Sequence, residues 1–136
     1  MAKTKIQLAG LAIDLLDSVT EGGEEQTGAI VVTGSHGGRS AARYALAYRP
    51  LLVVFNDAGI GKDEAGVAGL EILEEAGIAA AAVAHTSARI GEARDTWESG
   101  VLSRVNEVAR ALGLRPGARV RESLLRLAEG LRDSGR

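Results

Sequence analysis

The sequence has no cysteine in its 136 residues. This absence excludes disulfide bonds, thiolate metal sites and a cysteine nucleophile, and it makes the cytoplasm the default compartment. The chain also lacks the roughly 18 consecutive apolar residues that a membrane-spanning helix needs. Sixteen lysines and arginines stand against 18 aspartates and glutamates, a net charge of -2. A chain without a basic excess attracts neither phosphate backbones nor anionic lipids at long range, so we expect no nucleic acid and no membrane as partners.

Hydrophobic residues make up 46% of the chain and charged residues 25%, which is the composition of a soluble globular protein. Single hydrophobic cores stop growing only at about twice this length. We therefore expect residues 1–136 to form one domain.

The N-terminal segment, residues 1–20, has apolar residues at three- and four-residue spacing. They are Leu8, Leu11, Ala12, Leu15, Leu16 and Val19. This period predicts a helix over about residues 4–19. The polar, glycine-rich stretch at residues 21–28 predicts a connector.

Three short apolar runs follow, at residues 29–33, 51–55 and 78–83. Continuous apolar runs without alternation are typical of parallel strands buried on both faces. Helix-length segments at residues 39–48 and 63–76 separate the runs, and Pro50 and Gly77 end them. Residues 29–90 therefore predict a β-α-β-α-β unit whose parallel strands all end on the same side of the sheet.

Residues 92–132 predict C-terminal helices. Apolar residues keep helical spacing in this region, with a break at Gly100. They are Trp97, Val101, Leu102, Val105, Val108, Ala109 and Leu112. A last helix follows the turn at residues 115–117. The expected fold is a three-layer α/β/α domain with a small parallel sheet of three or four strands and a helical C-terminal third. So thin a sheet, with 3% aromatic residues to cover its edges, favours a homo-oligomer.

Both histidines of the chain directly follow predicted strands. The polar segments after the three strands are TGSHGGR (residues 33–39), NDAGIGKD (residues 56–63) and HTSAR (residues 85–89). If the strands are parallel and adjacent, these loops meet in one crevice, where open α/β sheets bind ligands.

Four residues of these loops are candidates for catalysis. Imidazole titrates near neutral pH, so we expect His36 and His85 to act as general acid and base. Ser35 would be a nucleophile or hydrogen-bond donor, paired with His85 rather than with its chain neighbour, because adjacent residues in a turn usually point apart. Asp57 would orient a histidine. Each also has a structural interpretation, as a helix cap or as a histidine bonded to a backbone carbonyl.

The remaining loop residues predict an anion-binding surface. Glycines allow backbone N–H groups to approach a ligand at a helix start, Lys62 adds a cation, and two arginines offer paired hydrogen bonds to a carboxylate. The predicted ligand-binding residues are Gly37, Gly38, Arg39, Asn56, Gly59, Gly61, Lys62, Thr86, Ser87 and Arg89. The structural alternative is that the glycines only shape turns and the polar residues only cap helices.

No cofactor follows from the sequence. His36, Asp57 and His85 form an alternative metal set of two histidines and one carboxylate, suited to Zn²⁺, Mn²⁺ or Fe²⁺. The segment at residues 56–63 is similar to a P-loop, but Asp63 stands at the hydroxyl position and would repel phosphates, so an ATPase is excluded. The dinucleotide fingerprint G-x-G-x-x-G is missing from the first loop.

Residues 29–84 locally resemble the frame of caspase-like peptidases, in which one strand ends in Ser-His-Gly and the next in Ala-Cys-x-Gly. The sequence VVTGSHG at residues 31–37 fits the first element, and FNDAGIG at residues 55–61 is similar to the second. Gly59 stands in the cysteine's place. The resemblance therefore implies that both loops lie on one side of a sheet, and it implies no catalysis.

The sequence predicts a small cytoplasmic enzyme, a hydrolase, lyase or isomerase, that acts on a small anionic or carbonyl-containing metabolite by histidine acid/base chemistry. One alternative is a non-catalytic module that binds a metabolite or anion in the same crevice. Another is a structural subunit of a larger assembly.

Overall fold

The computed structural model describes residues 3–134, and side chains up to residue 131. Within this range six strands form one sheet: β1 Lys3–Leu8, β2 Leu11–Leu16, β3 Ile30–His36, β4 Leu52–Asn56, β5 Ala79–Val83 and β6 Leu102–Val105. The same range holds five α-helices: α1 Arg39–Tyr48, α2 Ala68–Glu75, α3 Ala93–Ser99, α4 Glu107–Ala111 and α5 Val120–Ser134. None of the helices in this range has the length and apolar character needed to cross a membrane.

The strands lie side by side in the order in which they occur along the chain. The four central strands, β2 to β5, are parallel, while β1 and β6 run antiparallel to their neighbours at the two edges. The carboxyl ends of the four parallel strands therefore lie together, and we call this side the carboxyl end of the sheet.

The central strands bury side chains on both faces. On one face Val31 and Val53 pack with residues of α1 and α2. On the other face Val32 and Val54 join a second cluster with Trp97 of α3 and residues of α5. A strand buried on both faces needs apolar residues at successive positions, which explains the continuous runs that predicted β3, β4 and β5.

The predicted N-terminal helix is wrong, because the segment forms the β1–β2 hairpin. Ala9 and Gly10 link the strands with φ values of 51° and 83°, the backbone that a tight two-residue hairpin turn requires. In β1 the residues alternate between exposed and half-buried positions. In β2 the four residues Ile13 to Leu16 are all buried. The resulting apolar spacing imitates a helical period.

The helical prediction for residues 92–112 is also wrong in part. Gly100 does end α3, but the next residues form β6, antiparallel to β5. The sheet is therefore larger than the three or four strands expected. The helix predicted from residue 63 begins only at Ala68, because Asp63 has a φ of 55°, outside the helical region, within a 3-10 turn at Lys62–Glu64.

Candidate functional site

The loops that follow β3, β4 and β5 lie next to one another at the carboxyl end of the sheet. His36 is paired in register with Asn56, and Asn56 with Val83, two residues before His85. The N–H of Gly37 donates to the carbonyl oxygen of Asn56 at 3.0 Å. The β-α-β-α-β topology thus brings His36 and His85 to the same end of the molecule.

The loop after β5, residues 84–92, crosses the ends of β4 and β3. The Asn56 side chain donates to the carbonyl oxygen of Ala88 at 2.9 Å, and the N–H of Gly91 donates to the carbonyl oxygen of Gly34 at 2.7 Å. A Cβ at Gly34 would overlap the backbone of Gly91 and Glu92. Glycine at this position therefore permits the crossing.

Asp57, at the start of the loop after β4, is held by several donors although only 4% of its surface is exposed. Its Oδ1 accepts the backbone N–H groups of Gly59 at 2.8 Å and His85 at 3.0 Å. Its Oδ2 accepts the hydroxyl of Ser103 at 2.7 Å. The imidazole Nδ1 of His85 lies 3.4 Å from Oδ1.

These contacts determine the charge of Asp57. Burial by itself raises the pKa of the carboxyl, but the hydrogen bonds from Ser103, Gly59 and His85 and the positive charge of protonated His85 lower it. The net result is a pKa below the ordinary value of 3.8. Asp57 is therefore ionised near neutral pH, and its charge lies beside Nδ1 of His85.

The His85 imidazole lies beside Asp57 and is partly exposed. Its side chain is 52% exposed. The ring lies over Gly59, where an added Cβ would come within 3.5 Å of Cε1. When Nδ1–H faces a carboxylate, the neutral ring carries its lone pair on Nε2, which is then the basic nitrogen.

His36 is the last residue of β3 and its side chain is exposed. The ring lies beside the backbone of Gly38, where an added Cβ would be 3.1 Å from Cδ2. Among the described residues, the imidazole has no hydrogen-bond or ion-pair partner. Its ring nitrogens are therefore available to a ligand or to water.

Ser35 has a structural partner. Its hydroxyl oxygen accepts the N–H of Val19 at 2.9 Å, at the start of the 3-10 turn Val19–Glu21. Its own N–H donates to the side chain of Thr33 at 3.2 Å. No hydrogen bond joins Ser35 to either histidine in the part of the chain that the structure describes.

Two of the predicted ligand-binding residues, Asn56 and Ser87, hold the loops together. The Asn56 side chain, fully buried, accepts the N–H of Ala58 at 2.8 Å in addition to its bond with Ala88. The Ser87 hydroxyl donates to the carbonyl oxygen of Ala84 at 2.7 Å and accepts the N–H of Val101 at 2.9 Å. These side chains position the loops by hydrogen bonding to the backbone.

The exposed cations are distributed unevenly. Lys62 and Arg89 are exposed on the loops after β4 and β5, as is Thr86. Arg39, by contrast, lines a surface cavity of about 540 Å³ beside α2, together with Arg104 and Glu64, and that cavity contains neither histidine. Arg39 therefore faces a different surface from the paired Asp57 and His85.

Gly37 and Gly38 allow α2 to pack closely against the loop after β3. The carbonyl oxygen of Gly37 accepts the N–H of Gly69 at 2.8 Å. A Cβ at Gly37 would lie 3.1 Å from the carbonyl oxygen of Gly66, and one at Gly69 would overlap the carbonyl oxygen of Gly38. Close packing accounts for these glycines without a ligand.

The loop after β4 is strained. Besides Gly59 and Gly61, four non-glycine residues have left-handed φ values between 51° and 67°, namely Ala58, Ile60, Asp63 and Glu64. Such a backbone costs about 1–3 kcal/mol per residue, most for a β-branched side chain. Strain of this kind clusters at functional sites.

The alternative metal set does not form a cluster. The carboxylate oxygens of Asp57 face Ser103, Gly59 and His85, as described above. Among the described residues, no group of three or more His, Asp or Glu side chains is arranged to hold a metal ion. The donor geometry therefore favours a carboxylate–imidazole pair.

Ser103 and Asp17 contribute to the site and were not among the predicted residues. Ser103 lies on β6, which the sequence assigned to a helix. Asp17 follows β2, assigned to the N-terminal helix, and its Oδ1 accepts the N–H of Ala93 at the start of α3. The available signal was the short segment Val101–Val105, which follows a break at Gly100 and has valine at both ends.

The carboxyl end of the sheet thus holds a buried carboxylate, a half-exposed imidazole beside it, a second exposed imidazole and a strained loop. Comparisons of the chain with protein-family models, with curated proteins and with solved structures found no match.

Proposed function

We propose that the chain is a small enzyme in which His85, held by Asp57, transfers protons to and from a small anionic or carbonyl-containing metabolite. The observation that carries the proposal is the 3.4 Å approach of His85 Nδ1 to a buried carboxylate while half of the histidine side chain stays exposed. A carboxylate that orients an imidazole and stabilises its protonated form is a recurrent general-base device.

His85 would take a proton on Nε2, either from an activated water or from a carbon next to a carbonyl group. Asp57 would stabilise the resulting imidazolium. His36 would return a proton, and Lys62 would add positive charge where an anion develops.

Because no hydrogen bond joins Ser35 to a histidine among the described residues, reactions that need no serine nucleophile are favoured. Among the expected reaction classes, these are a lyase, an isomerase, or a hydrolase that acts through water.

We also propose a three-layer domain, a cytoplasmic location and a homo-oligomer. The two core clusters on opposite strand faces support the layers, and the absence of cysteine supports the location. Leu125 and Leu131 on α5, 38% and 40% exposed, support self-association. Light scattering at high micromolar concentration tests it, and a monomer would contradict the oligomer.

Proton NMR in D₂O tests the enzyme proposal directly. The protein is incubated with small carboxylic acids, 2-oxo acids, aldehydes, esters and sugar phosphates, and the spectra report both conversion and exchange of C–H for C–D. We expect at least one compound to react, and His85→Ala to slow that reaction by about 100-fold or more. Arg94→Ala, an exposed change on α3, is the matched control and keeps full activity.

The same experiment separates the alternatives. A compound that raises the melting temperature and emerges unchanged favours the binding module. Turnover that survives His85→Ala contradicts the assigned base. Neither turnover nor stabilisation with any compound favours the structural subunit.

A further inference from the structure

The hydroxyl of Ser103 reaches the carboxylate from the edge strand. Along β5 and β6, Ala82 pairs with Arg104 and Val83 with Leu102, so two successive residues of β5 face residues two apart on β6. Ser103 is therefore the extra residue of a β-bulge. Bulges redirect a side chain and are common beside active sites.

Each oxygen of Asp57 has different partners. Oδ1 faces two backbone N–H groups and the His85 ring. Oδ2 accepts from Ser103, its only hydrogen-bond partner among the described residues. Because Asp57 is almost fully buried, loss of that donor would leave a charged oxygen without compensation.

We infer that Ser103 is a positioning residue, whose hydroxyl holds the Asp57 carboxylate in the orientation that fixes the proton of His85 on Nδ1. Its meaning for catalysis rests on the proposed function, but its effect on His85 does not. The charge of Asp57 is consistent with this role. Burial raises the pKa of Asp57, and the hydrogen bond from Ser103 is the largest of the effects that lower it.

A matched pair of variants isolates the hydroxyl. Ser103→Thr keeps the hydroxyl. Ser103→Val has a methyl group in place of the threonine hydroxyl, so the two variant side chains have nearly the same volume, and both residues suit a strand. Arg104→Ala controls for general loosening of β6, because Arg104 also contacts the loop after β4, through Glu64, without contacting Asp57.

Long-range ¹H–¹⁵N NMR at alkaline pH reports the tautomer of the neutral His85 ring without any ligand. We expect the Nδ1–H form to dominate in the unmodified protein, in Ser103→Thr and in Arg104→Ala. In Ser103→Val we expect the Nδ1–H form to make up less than half of the neutral His85 ring. The ¹³C titration of the Asp57 carboxyl is the second readout, and its pKa rises in Ser103→Val alone.

An unchanged tautomer in Ser103→Val overturns the inference, and so does an equal change in Ser103→Thr or Arg104→Ala. Should Ser103→Val fail to fold, Ser103→Ala takes its place under the same criteria. A tautomer change without turnover of any tested compound supports the positioning role while contradicting the enzyme proposal. The two failures are therefore distinguishable.

Discussion

Asp57 carries a negative charge at an almost fully buried position because three hydrogen-bond donors replace the lost water. Its carboxyl has a lower pKa in the folded protein than the ordinary 3.8 expected in the unfolded chain. Between these two pKa values the unfolded state binds more protons. The stability contributed by ionised Asp57 is therefore complete above pH 3.8 and is lost as the pH falls through the lower, folded value.

We expect the free energy of unfolding to fall less between about pH 6 and pH 3 in Asp57→Asn than in the unmodified protein, because the amide does not titrate. Urea unfolding at the two pH values, followed by circular dichroism, measures the difference. Asp63→Asn is the control, since Asp63 is exposed on the same loop. An equal loss in the unmodified protein and in Asp57→Asn contradicts the prediction.

Gly34 illustrates a glycine required by close backbone approach rather than by φ. We expect Gly34→Ala to lower the free energy of unfolding by about 1–3 kcal/mol, because the new methyl group would overlap the backbone of Gly91 and Glu92. Gly23→Ala is the matched control, because nothing lies within 4 Å of a Cβ at that position. Similar urea midpoints for the two variants would contradict this account.

The residues that carry the proposed chemistry were predictable in part. His36, Asp57 and His85 follow strands with continuous apolar runs, and the right-handed β-α-β rule placed their loops on one side of the sheet. The contact between His85 and Asp57 depends on side-chain geometry, which spacing does not encode. Ser103 was not predicted because its edge strand has only four residues, Leu-Ser-Arg-Val, whose apolar ends are three apart as in a helix.

The β1–β2 hairpin shows how an element can be misread. Its turn is Ala-Gly instead of the usual Asn-Gly or Asp-Gly, so the strongest hairpin signal is missing. The alternation typical of a strand was present in β1, where Lys3, Lys5 and Gln7 occupy every second position and are all exposed. The four buried residues of β2, which do not alternate, masked this pattern.

The same turn predicts a stabilising substitution. Ala9 has a φ of 51°, a conformation that asparagine tolerates better than alanine. We expect Ala9→Asn to raise the free energy of unfolding by about 1 kcal/mol. Gly10→Ala should lower it, because position 10 has a φ of 83°. Urea unfolding tests both, and a destabilised Ala9→Asn would contradict the turn geometry.

The sheet separates two apolar clusters that share no buried side chain. Losses in the free energy of unfolding caused by cavities in different clusters should therefore add. Losses caused by cavities at neighbouring positions of one cluster should deviate from additivity. Ile13 and Ile30 are paired in register within one cluster, and Ile78 belongs to the other. Two double variants follow from this arrangement. Both contain Ile13→Val, and the second methyl group is lost at Ile30 in one and at Ile78 in the other.

We expect each single isoleucine-to-valine change to cost about 0.5–1.5 kcal/mol. The losses of Ile13→Val and Ile78→Val should add to within about 0.5 kcal/mol, while Ile13→Val with Ile30→Val should deviate from additivity by more than that. Urea unfolding followed by the fluorescence of Trp97, the single tryptophan, measures all five variants. Equal coupling in both pairs would mean that the sheet transmits packing changes between its faces and that the clusters behave as one core.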